Sequence, residues 1–466
     1  MAHGQPFPRP ARALVRARPS VALVLGLASL LAAAPASGHG RFPASNAIAF
    51  DPTDADHAVV RMTYGFYDNE LPEGADPTFG WRWLCSAALG YDANKEDPAF
   101  TFAGDRLLVG TFDGLVSSTP DRCGYELVPA TKGRYVVDLA ALPSADAPAA
   151  KSPVLALASN GTGEDTFDVR LFELASGASA WQPVETTLPP DFLAVSLAAA
   201  PSKDDPLRWG SIYLSGRDGT LADGYHAVVL RSDDGGATWS RFEVPGLDGL
   251  ATLPYLQAAS PTESLTVFAA GVLDEPPTRK QTNLVSRDGG ATWTTYFEAN
   301  ELLPGLAVAP DGSKVAFGGE KAGLLVAPIA ALEDPAQAKK LQKTRVACLS
   351  WQESGLYACG NAFVDGFSVG RSEDGGVSFE PFSKLTSACG PRECAPGTTI
   401  GDTCGPLWAI EAKEIVAPMT CTPEPPPPVD DGGCAVAFER DSDPLVRHGT
   451  VALLVAGLLA SRRRRR

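Results

Sequence analysis

Ser232-Asp233-Asp234-Gly235-Gly236-Ala237-Thr238-Trp239 is followed by two near-copies: Ser286-Arg287-Asp288-Gly289-Gly290-Ala291-Thr292-Trp293 and Ser372-Glu373-Asp374-Gly375-Gly376-Val377-Ser378-Phe379. The shared form is Ser-x-Asp-x-Gly-x-Thr/Ser-aromatic. Its Asp-Gly-Gly core reads as a tight hairpin turn. Glycine takes positive φ without steric cost, and an Asp or Ser side chain can bond nearby backbone N–H groups. The Thr or Ser that follows opens the next strand, and the Trp or Phe is a large apolar anchor. Such a turn, repeated in a chain full of short apolar strands, predicts an array of like units.

Working outward, a second unit recurs: an apolar strand, a Pro/Asp/Ser turn, and another strand rich in Val and small residues. It begins at Ile48, Phe100, Tyr135, Val195, Leu256, Leu306 and Cys348. Seven starts some tens of residues apart suit four-stranded sheets with loops of varying length. Degenerate versions of the hairpin close the first three units: Trp81-Arg82-Trp83, Asp121-Arg122-Cys123-Gly124-Tyr125 and Ser176-Gly177-Ala178-Ser179-Ala180-Trp181.

The motif resembles the Asp-box (BNR) repeat of β-propellers. That resemblance implies an all-β fold: a single propeller of four-stranded antiparallel blades, with seven the favoured count and six or eight the alternatives. It also implies that each hairpin joins the third and fourth strands of a blade at the rim. There Ser232, Asp234, Gly236 and Trp239, with Ser286, Asp288, Gly290, Trp293, Ser372, Asp374, Gly376 and Phe379, act as turn fasteners rather than as a catalytic set. Strands this short bury a core only by radial stacking of neighbouring sheets.

The chain of 466 residues divides into five expected segments. Residues 1–38 read as a signal peptide: Arg9, Arg12, Arg16 and Arg18 precede an apolar stretch at 21–34, and Ala36-Ser37-Gly38 offers a cleavage site. Residues 39–388 form the propeller, and 389–421 a cysteine-rich closure or extension. Residues 422–433, Thr-Pro-Glu-Pro-Pro-Pro-Pro-Val-Asp-Asp-Gly-Gly, read as a stiff spacer. Residues 434–466 place Cys434 before an apolar stretch and five terminal arginines. This tail resembles the MYXO-CTERM sorting tag of myxobacterial surface proteins, which implies processing and lipid attachment at Cys434. Export to the outer membrane or surface of a Gram-negative cell, with C-terminal anchoring, is the expectation.

Nine cysteines leave eight once Cys434 is set aside, an even number that suits disulfides in an exported chain. Cys348 and Cys359 fall on consecutive strands and could be cross-strand neighbours. Cys85 and Cys123 lie beside the degenerate hairpins of adjacent blades. Cys389, Cys394, Cys404 and Cys421 are expected to pair among themselves. Zinc is disfavoured, because the cluster has no CxxC spacing and no His.

The net charge is −16. Removing the 11 basic and 3 acidic residues of the two terminal segments leaves 28 basic and 52 acidic residues, a net of −24. Such a surface repels nucleic acid and anionic lipid.

Four catalytic patterns fall short. Asp-boxes occur in sialidases, and Arg41-Phe42-Pro43 resembles their Arg-Ile-Pro segment, but no second and third channel arginine follows, since Arg231 and Arg371 sit on peripheral strands. His39, as a new N-terminus, resembles the copper-ligating terminus of copper monooxygenases, whose β-sandwich the repeat pattern disfavours. Ser159-Asn160-Gly161-Thr162-Gly163 lacks the Lys of a P-loop. Gly366-Phe367-Ser368-Val369-Gly370 matches Gly-x-Ser-x-Gly without the strand–turn–helix setting of a nucleophile elbow, placing Ser368 in the third strand of the last blade. The reading that remains is an exported, non-enzymatic propeller. It needs no cofactor or metal and binds a protein or glycan through loops on one face. The alternative is a glycoside hydrolase working in the channel.

Overall fold

The computed structural model describes residues 41–421, apart from 70–75, 77, 143–151, 206, 248–251, 276–277, 416 and 418–420. The expected signal peptide, spacer and tag, Cys434 included, lie outside the described residues.

Seven four-stranded antiparallel sheets form a β-propeller, and each is built from consecutive strands. Blade 1 spans 45–84, blade 2 100–127, blade 3 136–183, blade 4 193–243, blade 5 252–299, blade 6 305–342 and blade 7 348–383. Six of the seven sequence units open on the innermost strand of a blade, and the third, at Tyr135, opens one residue before it.

Alternation explains the stacking. In the second strand of blade 3, Val154–Gly161, Leu155 and Leu157 enter the apolar layer shared with blade 4. Val154, Ala156 and Ala158, pointing the other way, enter the layer shared with blade 2. Blade 6 repeats this pattern: Val315 and Phe317 pack towards blade 5, Ala316 towards blade 7. A strand buried on both faces reads as a near-continuous apolar run, which is what these segments are. Period-2 geometry sends successive side chains to opposite neighbours.

Among the described residues, the four antiparallel strands of each blade are consecutive, so none of them comes from the far end of the chain. Blade 1 and blade 7 meet by packing, with the Phe50 and Tyr357 rings 4.5 Å apart. Ser45 Oγ donates to the Ser368 carbonyl at 2.6 Å, and the Tyr67 hydroxyl to the Leu385 carbonyl at 2.7 Å.

The segment after blade 7 then straps the closure from outside. Ala388–Pro391 adds in parallel to the outer strand of blade 1, Trp81–Leu84, covering an edge that would otherwise offer unpaired backbone groups. A helix, Thr399–Glu414, follows, capped by Thr398, whose side chain accepts from Gly401 N–H. Trp408 of this helix packs on Trp83 with ring centroids 5.5 Å apart. Its sequence signal was weak: Thr398 as cap and Asp402 in the first turn are countered by Gly401, Gly405 and Pro406, all poor helix formers.

The disulfides amend one expectation. Cys348 and Cys359 are bonded cross-strand neighbours. Of the late cluster, however, only Cys389 and Cys421 pair with each other. Cys404 bonds Cys85, and Cys394 bonds Cys123. The strap lies against blades 1 and 2, so its cysteines meet the two early ones. Four disulfides point to an oxidising, extracellular or exported setting. Among the described residues no helix is long and apolar enough to cross a membrane.

Candidate functional site

Strand direction divides the loops between two ends of the ring. Links between strands one and two, and three and four, emerge at one end. Links between strands two and three, and from each blade to the next, emerge at the other.

The three hairpins occupy the first end, here the hairpin face. In each, the Ser hydroxyl donates to its Asp, as Ser232 Oγ does to Asp234 Oδ1 at 2.7 Å, and accepts a backbone N–H, Gly236 N at 2.8 Å. Asp234 then accepts Thr238 N–H at 2.9 Å and its hydroxyl at 2.6 Å. Asp288 with Thr292 and Asp374 with Ser378 repeat this geometry. Gly235 and Gly236 sit at φ +74° and +97°, a region costly for any other residue, and the other two copies match within a few degrees. The bonds from Thr238 or Ser378, then from the motif Ser, hold Asp234 and Asp374 down to about 2. These carboxylates are therefore spent on their own turns.

Each aromatic crosses to the preceding blade. Trp239 donates to Thr186 Oγ1 at 2.6 Å, Trp293 joins the layer between blades 4 and 5, and Phe379 that between blades 6 and 7. Arg231 of the first copy reaches the Asp288 carbonyl of the second at 3.0 Å, tying consecutive blades at the rim. The degenerate turn of blade 2 is a longer relative, with Gly124 N–H donating to Thr119 Oγ1 and Cys123 N–H to Asp121 Oδ1.

A buried charge network also belongs to this face. His57 contacts Asp51 at 3.0 Å and Asp68 at 2.8 Å; Asp68 also binds Arg122 of blade 2 and Arg392 of the strap, both at 2.9 Å. Burial alone would lower His57, but the two carboxylates lift it to about 9. Burial would raise Asp68, but His57 and the two guanidiniums hold it well below the carboxylate range. The sequence suggested only a turn around His57; the other members of the network lie from 6 to 335 residues away.

The opposite end carries the cavity, of about 510 Å³. Its walls come from the lead-in to blade 1 (Phe42, Ser45), the blade 5–6 link (Glu301), the loop after the second strand of blade 6 (Glu320, Lys321), the lead-in to blade 7 (Arg345) and that blade's second loop (Asn361). Glu301 accepts the backbone N–H groups of Lys321 and Ala322 at 2.8 and 2.6 Å. Glu320 pairs with Arg345 at 3.2 Å. Asp365 accepts Asn361 N–H at 2.7 Å, shaping the same loop. Ser368 also lines the cavity. It precedes the third strand of blade 7, Val369–Ser372, by one residue rather than lying in it, and its buried hydroxyl has no hydrogen-bond partner among the described residues.

No residue of the three hairpins lines this cavity. Arg41 does not line it either; its guanidinium is bonded to Asp97 at 2.7 Å. Sequence reasoning missed Lys321, Arg345, Glu301 and Glu320 because they stand in loops without a motif.

No family model matches the chain, and no curated protein does. Several solved structures are similar to it at low identity. An ancestral GH74 enzyme is 17% identical over 72% of this chain and 38% of its own, with a TM-score of 0.42. The GH74 xyloglucanase from Xanthomonas campestris is 15% identical over 76% and 61%, with a TM-score of 0.41. The extracellular domain of a one-component system from B. thetaiotaomicron is 12% identical over 69% and 38%, with a TM-score of 0.44. The chain spans less than two thirds of each.

Proposed function

We propose that this is an exported, surface-displayed, non-enzymatic propeller that binds a protein or glycan at the cavity face. The reading rests on how the cavity's carboxylates are used. Hydrolysis of a glycoside needs two carboxyl groups flanking the scissile bond, one of them free to carry a proton and the other to attack or to activate water. Glu301 is held by two backbone N–H bonds and Glu320 by Arg345, which fits loop-shaping better than proton transfer. Asp138, which burial lifts to about 6, is bonded to Leu197 and Leu139 N–H and stands outside the cavity lining. Loops converging on one face of a rigid ring suit recognition.

The test combines two measurements on the full chain. Immobilised protein is exposed to a glycan array and to outer-membrane extract, with an Arg345→Glu variant beside it. Specific retention lost in the variant supports binding at this face. Turnover of fluorogenic glycosides, abolished by Glu301→Gln or Glu320→Gln, would replace this reading with a hydrolase.

A further inference from the structure

The exposed aromatic side chains are not scattered. Among the described residues the five large ones are Phe42, Phe112, Tyr135, Tyr255 and Phe363, at 64, 48, 39, 40 and 69% exposure. All five belong to the cavity face. Phe42 and Tyr135 lie in the lead-ins to blades 1 and 3, and Phe112 and Phe363 in the second loops of blades 2 and 7. Tyr255 is on the inner strand of blade 5, three residues from its start at that end. On the hairpin face the aromatics are packed between blades instead. Exposed aromatic surface gathered on one face suits an interaction site; the large apolar side chains exposed elsewhere, Leu265 and Val377 on the hairpin face and Leu407 and Ile410 on the helix, are aliphatic.

Four of the five are paired. Phe42 and Phe363 stand 5.2 Å apart beside the cavity. Phe112 and Tyr135 stand 4.7 Å apart at blades 2 and 3. These are two separate pairs of exposed rings on different blades, with interplanar angles of 56° and 69°. A groove would suit the apolar stripe of a helix, and a free strand edge an extended peptide. Spaced exposed rings suit a chain of repeating rings that stacks on one ring at a time, as single strands of bases do on aromatic residues.

Charge narrows the class. In a chain of net −16, Arg279, Lys321 and Arg345 line one cavity. Glu301 is turned onto backbone N–H groups, and Glu320 engages a single guanidinium nitrogen of Arg345. The ammonium of Lys321 makes no ion pair among the described residues. The hydroxyl of Ser368, 1% exposed, is a polar group with no hydrogen-bond partner among the described residues, a costly state that a ligand oxygen would relieve. Cations, a hydroxyl and amides converging on a cavity suit a carboxylate.

We propose that the cavity face binds a carboxylated polysaccharide. Its sugar rings stack on Phe42/Phe363 and Phe112/Tyr135, and one carboxylate enters the cavity towards Lys321, Arg345 and Ser368. This rests on the binding reading above and names its ligand class.

The test is affinity electrophoresis of the full chain through gels containing alginate, with gels of neutral hydroxyethylcellulose alongside, at near-physiological salt. Alginate is expected to retard the protein and hydroxyethylcellulose to do so at least tenfold less. Phe363→Ser and Lys321→Glu should each weaken retardation at least tenfold with unchanged melting temperatures, whereas Val377→Ser on the hairpin face should leave it intact. Absence of retardation by alginate, equal retardation by the neutral polymer, or insensitivity to Phe363→Ser overturns the proposal. If alginate fails while Phe363 still governs capture of a protein from outer-membrane extract, the polysaccharide falls and the binding reading stands.

Discussion

On the hairpin face, Asp234, Asp288 and Asp374 each close their own turn, and the tryptophans and Phe379 are packed against the neighbouring blade. On the cavity face, aromatic rings stand in solvent and cations gather around a cavity. The same residue types are turned inward at one end and outward at the other. The hairpins fasten neighbouring blades at one end of the stack, and at the other end aromatic rings are left exposed. The difference teaches where to look for recognition in a ring of near-equivalent units: at the end whose polar and aromatic groups are not consumed by the fold.

Substitutions should separate the two ends, and the largest effect is expected in the buried network of the hairpin face. His57→Asn removes a charged partner from buried Asp68 and Asp51, at a cost of about 3–5 kcal/mol in urea unfolding at pH 6. The pH dependence carries a sign. His57 is raised to about 9 in the fold from roughly 6.5 unfolded. Its contribution is therefore complete below about 6.5 and lost as pH rises through about 9. Asp68, lowered in the fold, contributes above about 4 and fails only in acid. The wild type should lose about 2–3 kcal/mol between pH 6 and 10, and His57→Asn should show a flatter profile. Equal profiles would remove His57 from the fastening of this face.

Next is the strap. Cys123→Ser with Cys394→Ser frees the blade 2 turn from the closing segment, a bond spanning 271 residues of sequence; about 2–4 kcal/mol of stability should go. Trp239→Ala should cost about 2 kcal/mol, since the ring is only partly buried at its blade interface. Asp234→Ala should cost about 1–2 kcal/mol through the loss of the turn's hydrogen bonds. None of these should alter ligand retention measured on the folded protein. The smallest stability effect is expected at the other end: Phe363→Ser should stay within about 0.5 kcal/mol in thermal unfolding. A large loss there would mean that this face too is built for stability, and the contrast would break.

The architecture was legible because its signals are local. Val154-Leu155-Ala156-Leu157 is an apolar run with turn residues beyond it, and Asp-Gly-Gly specifies a hairpin whatever surrounds it. Phe50, Phe102, Val308 and Trp351 all fall on inner strands as their runs predict. The cysteine connectivity was not legible, since sequence proximity of Cys389, Cys394, Cys404 and Cys421 says nothing about which blade the strap lies on. The helix was hidden by its own glycines and proline; packing of Trp408 on Trp83, not propensity, sustains it. The cavity was invisible because its walls come from residues as distant as Ser45 and Ser368, and neither alone carries a pattern.

By itself, then, the order of residues favoured seven sheets over six or eight and determined the strands that open them and the chemistry of the turns, because hydrogen bonding within a hairpin and alternation along a strand depend on near neighbours. Only tertiary structure decided which cysteines meet, that His57 lies between two carboxylates, and that loops from blades 1, 5, 6 and 7 share a cavity. Those facts arise from closing the ring, which brings together groups that the chain keeps more than 300 residues apart.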